Sequence, residues 1–151
     1  MVAVTFSHRH LVISALFLTV ACGGRRANLQ PSPATPDQTV ERFLAAVNAS
    51  DVDGMAMLWG TRDGPEGVTH TMNETVRLQR LTIMQHMLKS DNHSITGTDI
   101  TDPSKRVLTV SMTQNNRRFS IPFTLVPSRG GGWLINAIGL DAAMPDAGAR
   151  P

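Results

Sequence analysis

Four polar residues of this 151-residue chain are of the types that transfer protons in enzymes, namely His70, Glu74, His86 and Asn136. A carboxylate such as that of Glu74 removes a proton from a substrate when a histidine or an amide stabilises the charge that develops. No second group stands at a fixed spacing from any of the four, and such a partner is what activates a catalytic residue. The sequence therefore leaves an enzymatic role open without predicting one.

A structural role explains three of these residues equally well. Glu74 follows Asn73 at the start of a predicted helix, where a carboxylate stabilises the positive end of the helix dipole. His86 lies at the predicted solvent edge of the same helix, and Asn136 can satisfy backbone groups beside a strand bulge. On this interpretation the domain has no catalytic residue.

Metal chemistry is not indicated by the histidines either. His70, His86 and His93 lack the spacing of metal ligands, and His8 and His10 lie in a segment that we predict to be removed. We expect no metal ion and no other cofactor.

The single cysteine, Cys22, has the clearest chemical role. It ends a segment in which Arg9 precedes an apolar run over residues 11–20 and Ala21. The run is half the length of about twenty residues that a membrane-spanning helix needs, and its flanks are typical of a secretory signal peptide. A lone cysteine cannot form an internal disulfide, so acylation is a use that fits it.

The stretch Thr19-Val20-Ala21-Cys22 resembles the bacterial lipobox, although Thr19 occupies a position where leucine is usual. The resemblance implies a signal peptide over residues 1–21 and a diacylated Cys22 as first residue of the mature chain. It places the protein in the bacterial cell envelope, lipid-anchored on the periplasmic face of a membrane or at the cell surface. The alternative is a soluble secreted protein with an incidental cysteine.

The remaining chain is predicted to form one domain over residues 36–141, joined to Cys22 by a flexible tether over residues 22–35. Residues 142–151 are predicted to be disordered. The formal net charge is only +2, the basic residues are scattered and aromatic residues make up 5% of the chain, so we expect no nucleic-acid partner.

Apolar spacing predicts three helices before any strand. The first is capped by Thr35 and starts at Pro36; the second starts at Ser50-Asp51 and is stopped by Gly60; residues 61–70 are predicted to be an irregular loop. The third ends at Leu88 and should lay a broad apolar face on a sheet. The stripe of the first helix is Val40, Phe43, Leu44 and Val47, and the face of the third is Val76, Leu81, Ile83, Met84, Met87 and Leu88.

Beyond residue 92 the apolar period becomes two, which predicts strands over residues 95–101, 106–114 and from 117 onward. Asn115-Asn116 suits a two-residue type I′ turn, because asparagine tolerates positive φ. That turn pairs Leu108 with Phe123, Val110 with Ile121 and Met112 with Phe119. Pro122 lacks an N–H, which predicts a bulge or an unpaired edge at that point.

A last strand over residues 133–140 is apolar on both sides. Continuous alternation puts Leu134, Asn136, Ile138 and Leu140 on the side of Phe123. The sheet is therefore expected to be covered by the helices on one side and by a partner on the other, including a second copy of the chain in a homodimer.

Helices followed by a curved antiparallel sheet define an α+β class, a cone-like or cystatin-like roll. The opening residues 36–47, the Asp51-Val52-Asp53-Gly54-Met55 entry and Gly132-Trp133-Leu134-Ile135 resemble the nuclear transport factor two-like superfamily, which includes ketosteroid isomerases and polyketide cyclases. They resemble in particular its small envelope lipoproteins of unknown function. The resemblance implies architecture only. In the isomerase-like members a tyrosine helps to form the oxyanion hole, and this chain contains no tyrosine.

The function expected from the sequence is a non-catalytic, lipid-anchored envelope module that binds a small apolar ligand or a protein partner. The alternative is an isomerase- or cyclase-like enzyme with an atypical acid/base site. A ligand would occupy a candidate pocket lined by Phe43, Val47, Met84, Leu108, Phe119, Ile121, Phe123, Asn136 and Ile138.

Overall fold

The computed structural model describes residues 33–144 and has an α+β fold in which helices precede a four-stranded antiparallel sheet. The predicted signal peptide, Cys22 and most of the predicted tether lie outside these residues, as does the end of the predicted tail. The helices are α1 (Pro36–Ala49), α2 (Val52–Leu58), α3 (Glu66–Thr69), α4 (Glu74–Leu88) and a final 3-10 turn, η1 (Leu140–Ala143). The strands are β1 (Gly60–Thr61), β2 (Gly64–Pro65), β3 (Asn92–Asp99), β4 (Arg106–Gln114), β5 (Arg117–Pro127) and β6 (Trp133–Ile138).

Helix α1 begins as its sequence predicts. The Thr35 hydroxyl accepts a hydrogen bond from the backbone N–H of Gln38 at 3.3 Å, and Pro36 occupies the first turn, where its missing N–H costs nothing. Ser50 ends the helix in the left-handed conformation, with φ 58°. The predicted stripe of α1 is buried along its whole length.

The hairpin of β4 and β5 has the predicted register. Leu108 pairs with Phe123, Val110 with Ile121 and Met112 with Phe119. Both turn residues have positive φ, 49° at Asn115 and 63° at Asn116, as a type I′ turn requires. This register places every apolar residue of the hairpin on the helix-covered face of the sheet.

The turn gives a direct stability prediction. A β-branched side chain at positive φ costs about 1–2 kcal/mol, whereas glycine adopts that conformation freely. We expect Asn116→Val to lower the free energy of unfolding by about 1–2 kcal/mol, and Asn116→Gly to change it by less than about 0.5 kcal/mol. Urea denaturation measures both, and equal effects of the two substitutions would contradict the assigned turn.

Pro122 fits the sheet without the bulge that its missing N–H suggested. Pairs alternate along an antiparallel hairpin, and Thr109 with Pro122 falls on a non-hydrogen-bonded pair, so the Pro122 nitrogen faces away from β4. On the other side β6 ends at Ile138, and the Pro122 carbonyl accepts a hydrogen bond from Gly139 at 2.9 Å. Proline therefore stands where the neighbouring strand stops.

Two strands differ from their predicted form. Strand β3 runs over Asn92–Asp99 rather than residues 95–101, and it bulges between Ile95 and Gly97. Strand β6 ends at Ile138, and a second bulge lies beside the pairs Thr124–Ala137 and Leu125–Ile135. The extra residue in that bulge is Asn136, and it shifts the alternation of the residues that follow.

The bulge corrects the predicted faces of β6. Ile135 pairs with Leu125 and Ile138 with Phe123, so both lie on the helix-covered face, while Leu134 pairs with Val126 on the opposite face. Asn136 does not share the side of Phe123 and is exposed to solvent. A bulge resets the period of two, and for that reason continuous alternation gave the wrong sides.

Helix α4 does not bury the broad face that was predicted. Leu81, Met84 and Leu88 are buried, but Val76 is 41% exposed and Ile83 is 47% exposed. Residues of an α-helix advance about 100° each, so Ile83 lies about 160° from Leu81 around the axis. The helix thus carries apolar residues on its outer surface as well as on the core.

The predicted irregular loop contains regular structure. Strands β1 and β2 form a short antiparallel ladder, and α3 follows directly. Arg62 donates to the Ser104 carbonyl at 2.8 Å, and Asp63 forms a 2.6 Å ion pair with Arg129. The segment suggested as a recognition loop is thereby tied to the loops at one end of the sheet.

Both ends of the described chain pack against the domain. Pro33 is buried, and its carbonyl accepts a hydrogen bond from the Trp133 N–H at 3.1 Å. The Thr39 hydroxyl donates to the Trp133 carbonyl at 3.2 Å. Leu140 and Ala143 of η1 lie against the core. The packed unit therefore includes residues on both sides of the predicted limits.

Candidate functional site

The space between the helices and the sheet is filled by apolar side chains. Phe43 of α1 meets Phe123 of β5 edge to face, with ring centroids 6.4 Å apart. Met55 of α2 and Leu81 of α4 are fully buried beside them. Thr39 and Glu66 are the buried polar residues of the described part of the chain. The position of a cone's ligand cavity is occupied here by close-packed core.

The candidate pocket residues accordingly belong mainly to this core. Asn136 is the exception, since it is exposed and its side-chain amide donates to the Gly60 carbonyl at 3.1 Å. It thus ties the bulge of β6 to β1, which is the structural role that the sequence left open. Phe43, Val47, Met84, Leu108, Ile121 and Phe123 are buried, and Phe119 and Ile138 pack at the margin of the core.

The polar candidates do not converge. Glu74 and His86 stand at opposite ends of α4, which separates their backbones by about 18 Å at 1.5 Å per residue. Both are exposed, and Asn136 lies on β6. A catalytic acid and base need to reach one substrate atom, so these residues do not form one site.

A different cluster forms where α3 meets the start of α4. Glu66 is only 1% exposed. One carboxylate oxygen accepts from the Thr71 hydroxyl, and the other from the Met72 N–H at 3.4 Å. The backbone N–H of Glu66 donates to the Trp59 carbonyl at 2.9 Å. Glu66 therefore joins the end of α2 to the loop that precedes α4.

Arg77 closes this cluster from the side of α4. Its Nη1 lies 3.2 Å from the Glu66 carbonyl oxygen, to which it donates, and 2.6 Å from Nδ1 of His70. Because a guanidinium has only donors, Nδ1 of His70 accepts this bond and carries no proton. His70 itself has φ 48°, in the left-handed region, where the contact from Arg77 helps to hold it.

The cluster contains a carboxylate, a histidine and an arginine, but their arrangement is that of a brace. The carboxylate points inward to Thr71 and Met72, while the His70 ring is on an exposed residue and bonds to Arg77. No open face presents both groups to one substrate. His70 had been singled out in the sequence, whereas Glu66 and Arg77 had not. A lone Glu after Gly64-Pro65 gives no sign of burial.

An open cleft of about 270 Å³ lies at the turn between β3 and β4, lined by Asp99, Thr101, Asp102, Lys105 and Val107. Hydrogen bonds from the hydroxyl and N–H of Thr101 lower the pKa of Asp99, and those from Ser104 lower the pKa of Asp102. These bonds close local turns of the chain. They account for both carboxylates without a ligand.

The two shifts predict a pH dependence that can be measured directly. A carboxyl with a lowered pKa stabilises the folded state above its ordinary value of 3.8, and that contribution is lost as the pH falls through the folded pKa. We expect carboxyl NMR titrations of Asp99 and Asp102 to have midpoints below 3.8. Thr101→Val should raise the midpoint of Asp99 and leave that of Asp102 unchanged. Unshifted midpoints in the native chain would contradict these turns.

The outer face of the sheet, which no helix of the described chain covers, is the largest regular surface available. Register and alternation define this outer face. Its ionisable residues are Asp99 at one end and Arg118 at the other, and hydroxyl groups occupy its centre. The central residues are Ser94, Thr109, Ser111, Ser120, Pro122 and Thr124.

Residues 33–144 contain no cluster of three or more metal-ligating side chains. Within the same range, no helix is both long enough and apolar enough to cross a bilayer. Compared with known proteins, the chain matches no family model and no curated protein.

Proposed function

We propose that this protein is a lipid-anchored module of the bacterial cell envelope, without catalytic activity, that binds a protein through the outer face of its sheet. The filled interior carries this proposal. An apolar ligand would have to displace side chains such as Phe43 and Phe123, which are fully buried and in contact. Binding therefore falls to the surface, and a protein is favoured over a small molecule.

The anchor is supported by the sequence alone. Cys22 directly follows Ala21 at the close of the apolar run, and it is the only cysteine of the chain. We further propose that the domain belongs to the nuclear transport factor two-like superfamily, which the order of helices and antiparallel strands supports. Membership does not decide between enzyme and binding module.

The partner that we propose for the outer face is a second copy of the chain. Two copies related by a twofold axis would bring uncharged hydroxyl rows together, so no like charges meet at the centre. In an antiparallel arrangement Asp99 of one copy approaches Arg118 of the other, because these residues stand at opposite ends of the face. The face is thus complementary to itself in charge.

Light scattering of the detergent-solubilised protein tests this association. We expect the native chain to have twice the monomer mass and Ser120→Arg to be monomeric, because Ser120 is exposed near the centre of the outer face and each copy would bury an unpaired cation. Thr82→Arg is the control, since Thr82 is exposed on α4, away from the sheet. A monomeric native chain, or a dimeric Ser120→Arg, would contradict the proposed interface.

The enzymatic alternative depends on Glu66 and His70, the carboxylate and histidine that lie nearest each other. It gains support only if the conservative change Glu66→Gln abolishes the biological role while fold and membrane attachment survive. The inward direction of the carboxylate favours the binding module instead.

A further inference from the structure

The outer surface of α4 carries an apolar stripe that the core does not use. Val76 and Ile83 are seven residues apart, which places them on the same side of the helix two turns apart, and both are more than 40% exposed. Met87 continues the line one turn after Ile83 and is half-buried. Arg80 stands between Val76 and Ile83. We call Val76, Arg80, Ile83 and Met87 the α4 stripe.

The charge of this part of the chain has one sign. Between Glu74 and Asp91 the sequence contains Arg77, Arg80 and Lys89 and no acidic residue. Arg77 is engaged with His70, whereas Arg80 and Lys89 are exposed. Apolar side chains flanked by free cations are the combination by which a helix lies in the interface of a membrane with anionic lipids.

The length of chain before the domain brings this surface within reach of a membrane. Eleven residues separate Cys22 from Pro33, where the described structure begins. Fully extended, they span at most about 37 Å. Lipidation at Cys22 would therefore hold the domain close to the bilayer at high effective concentration, and weak contacts become significant under that condition.

From these observations we infer that the α4 stripe docks the domain onto an anionic phospholipid bilayer, with Val76 and Ile83 entering the interface and Arg80 binding phosphate headgroups. The inference rests on the proposed lipid anchor. The stripe lies on the helical side of the domain, away from the outer face of the sheet, so membrane docking and pairing of two sheets do not compete for one surface.

A single-thiol probe tests this docking on the lipidated protein. The Cys22 thiol is consumed by its lipid, so Gln79→Cys, next to the stripe, or Ser120→Cys, on the outer face, gives one labelling site for an environment-sensitive fluorophore. The protein is reconstituted into vesicles of phosphatidylcholine and phosphatidylglycerol that contain nitroxide-labelled acyl chains. We expect several-fold stronger quenching of the probe at position 79 than of the probe at position 120.

Further variants separate the two forces. Ile83→Asp in the Gln79→Cys background should abolish the excess quenching, whereas Thr82→Asp, also exposed on α4, should reduce it less. Vesicles of phosphatidylcholine alone should weaken quenching at position 79, and Arg80→Gln should remove most of that dependence on lipid charge.

Two failures are distinguishable. Intact mass of the same preparation is measured first, and an unmodified Cys22 overturns the proposed anchor and this inference with it. A lipidated chain with equal quenching at positions 79 and 120, or with the probe at position 79 shielded from lipid and from water alike, overturns membrane docking alone. The shielded result would show that a protein covers the stripe.

Discussion

Cys22→Ser is expected to move the protein almost completely from the membrane fraction to the soluble fraction. Buried acyl chains contribute about 0.8 kcal/mol per methylene, and two or more chains hold a protein firmly where one does not. The α4 stripe alone is far too small to replace them. Cell fractionation followed by intact-mass analysis measures both the location and the modification.

Thr19→Leu is the matched control for this experiment. It supplies the residue that is usual at this position of a lipobox and leaves the cysteine in place, so the chain should stay in the membrane fraction with unchanged or more complete processing. The lipoprotein proposal fails if the native chain carries a free Cys22 thiol, or if Cys22→Ser remains attached to the membrane.

Glu66→Ala is expected to lower the free energy of unfolding by about 2–3 kcal/mol. The substitution removes the acceptor of the Thr71 hydroxyl and the Met72 N–H, and it leaves a void between α2 and α4. The loss should be concentrated in the 66–77 segment, because Arg77 and His70 are held in the same cluster. Urea denaturation gives the magnitude, and hydrogen exchange gives the location.

Glu74→Ala provides the comparison within the same region. Glu74 is exposed at the first position of α4, where a carboxylate contributes about 0.3–1 kcal/mol through the helix dipole. The two glutamates therefore differ in burial far more than in position. Equal losses for the two alanine variants would show that Glu66 is not the brace of this segment.

The hairpin of β4 and β5 was predictable in full because its signals are local. Two asparagines specify the turn, and the turn specifies which residues pair. Alternation then decides which face is buried, since a slip by one residue would expose Val110 and Ile121 together. The start of α1 was predictable for the same reason, as Thr35 and Pro36 act within one turn.

The errors arose where tertiary contacts decide. The bulge at Asn136 depends on the Gly60 carbonyl, which is 76 residues away in the chain. The burial of Glu66 depends on α2 and on the 70–72 loop, and no sequence period announces it. On α4, hydrophobicity alone could not separate Leu81 from Ile83, because the direction of the core is set by the elements packed against the helix.

The contacts of Trp133 with Pro33 and Thr39 also constrain the order in which the domain is completed. The amide and carbonyl of Trp133 hold the N-terminal end of α1, across 94 residues in the case of Thr39. A ribosome makes α1 first and Trp133 among the last residues of the fold. The nascent α1 must therefore wait with its apolar stripe unpaired until synthesis is nearly finished, and local hairpin pairing can precede its docking.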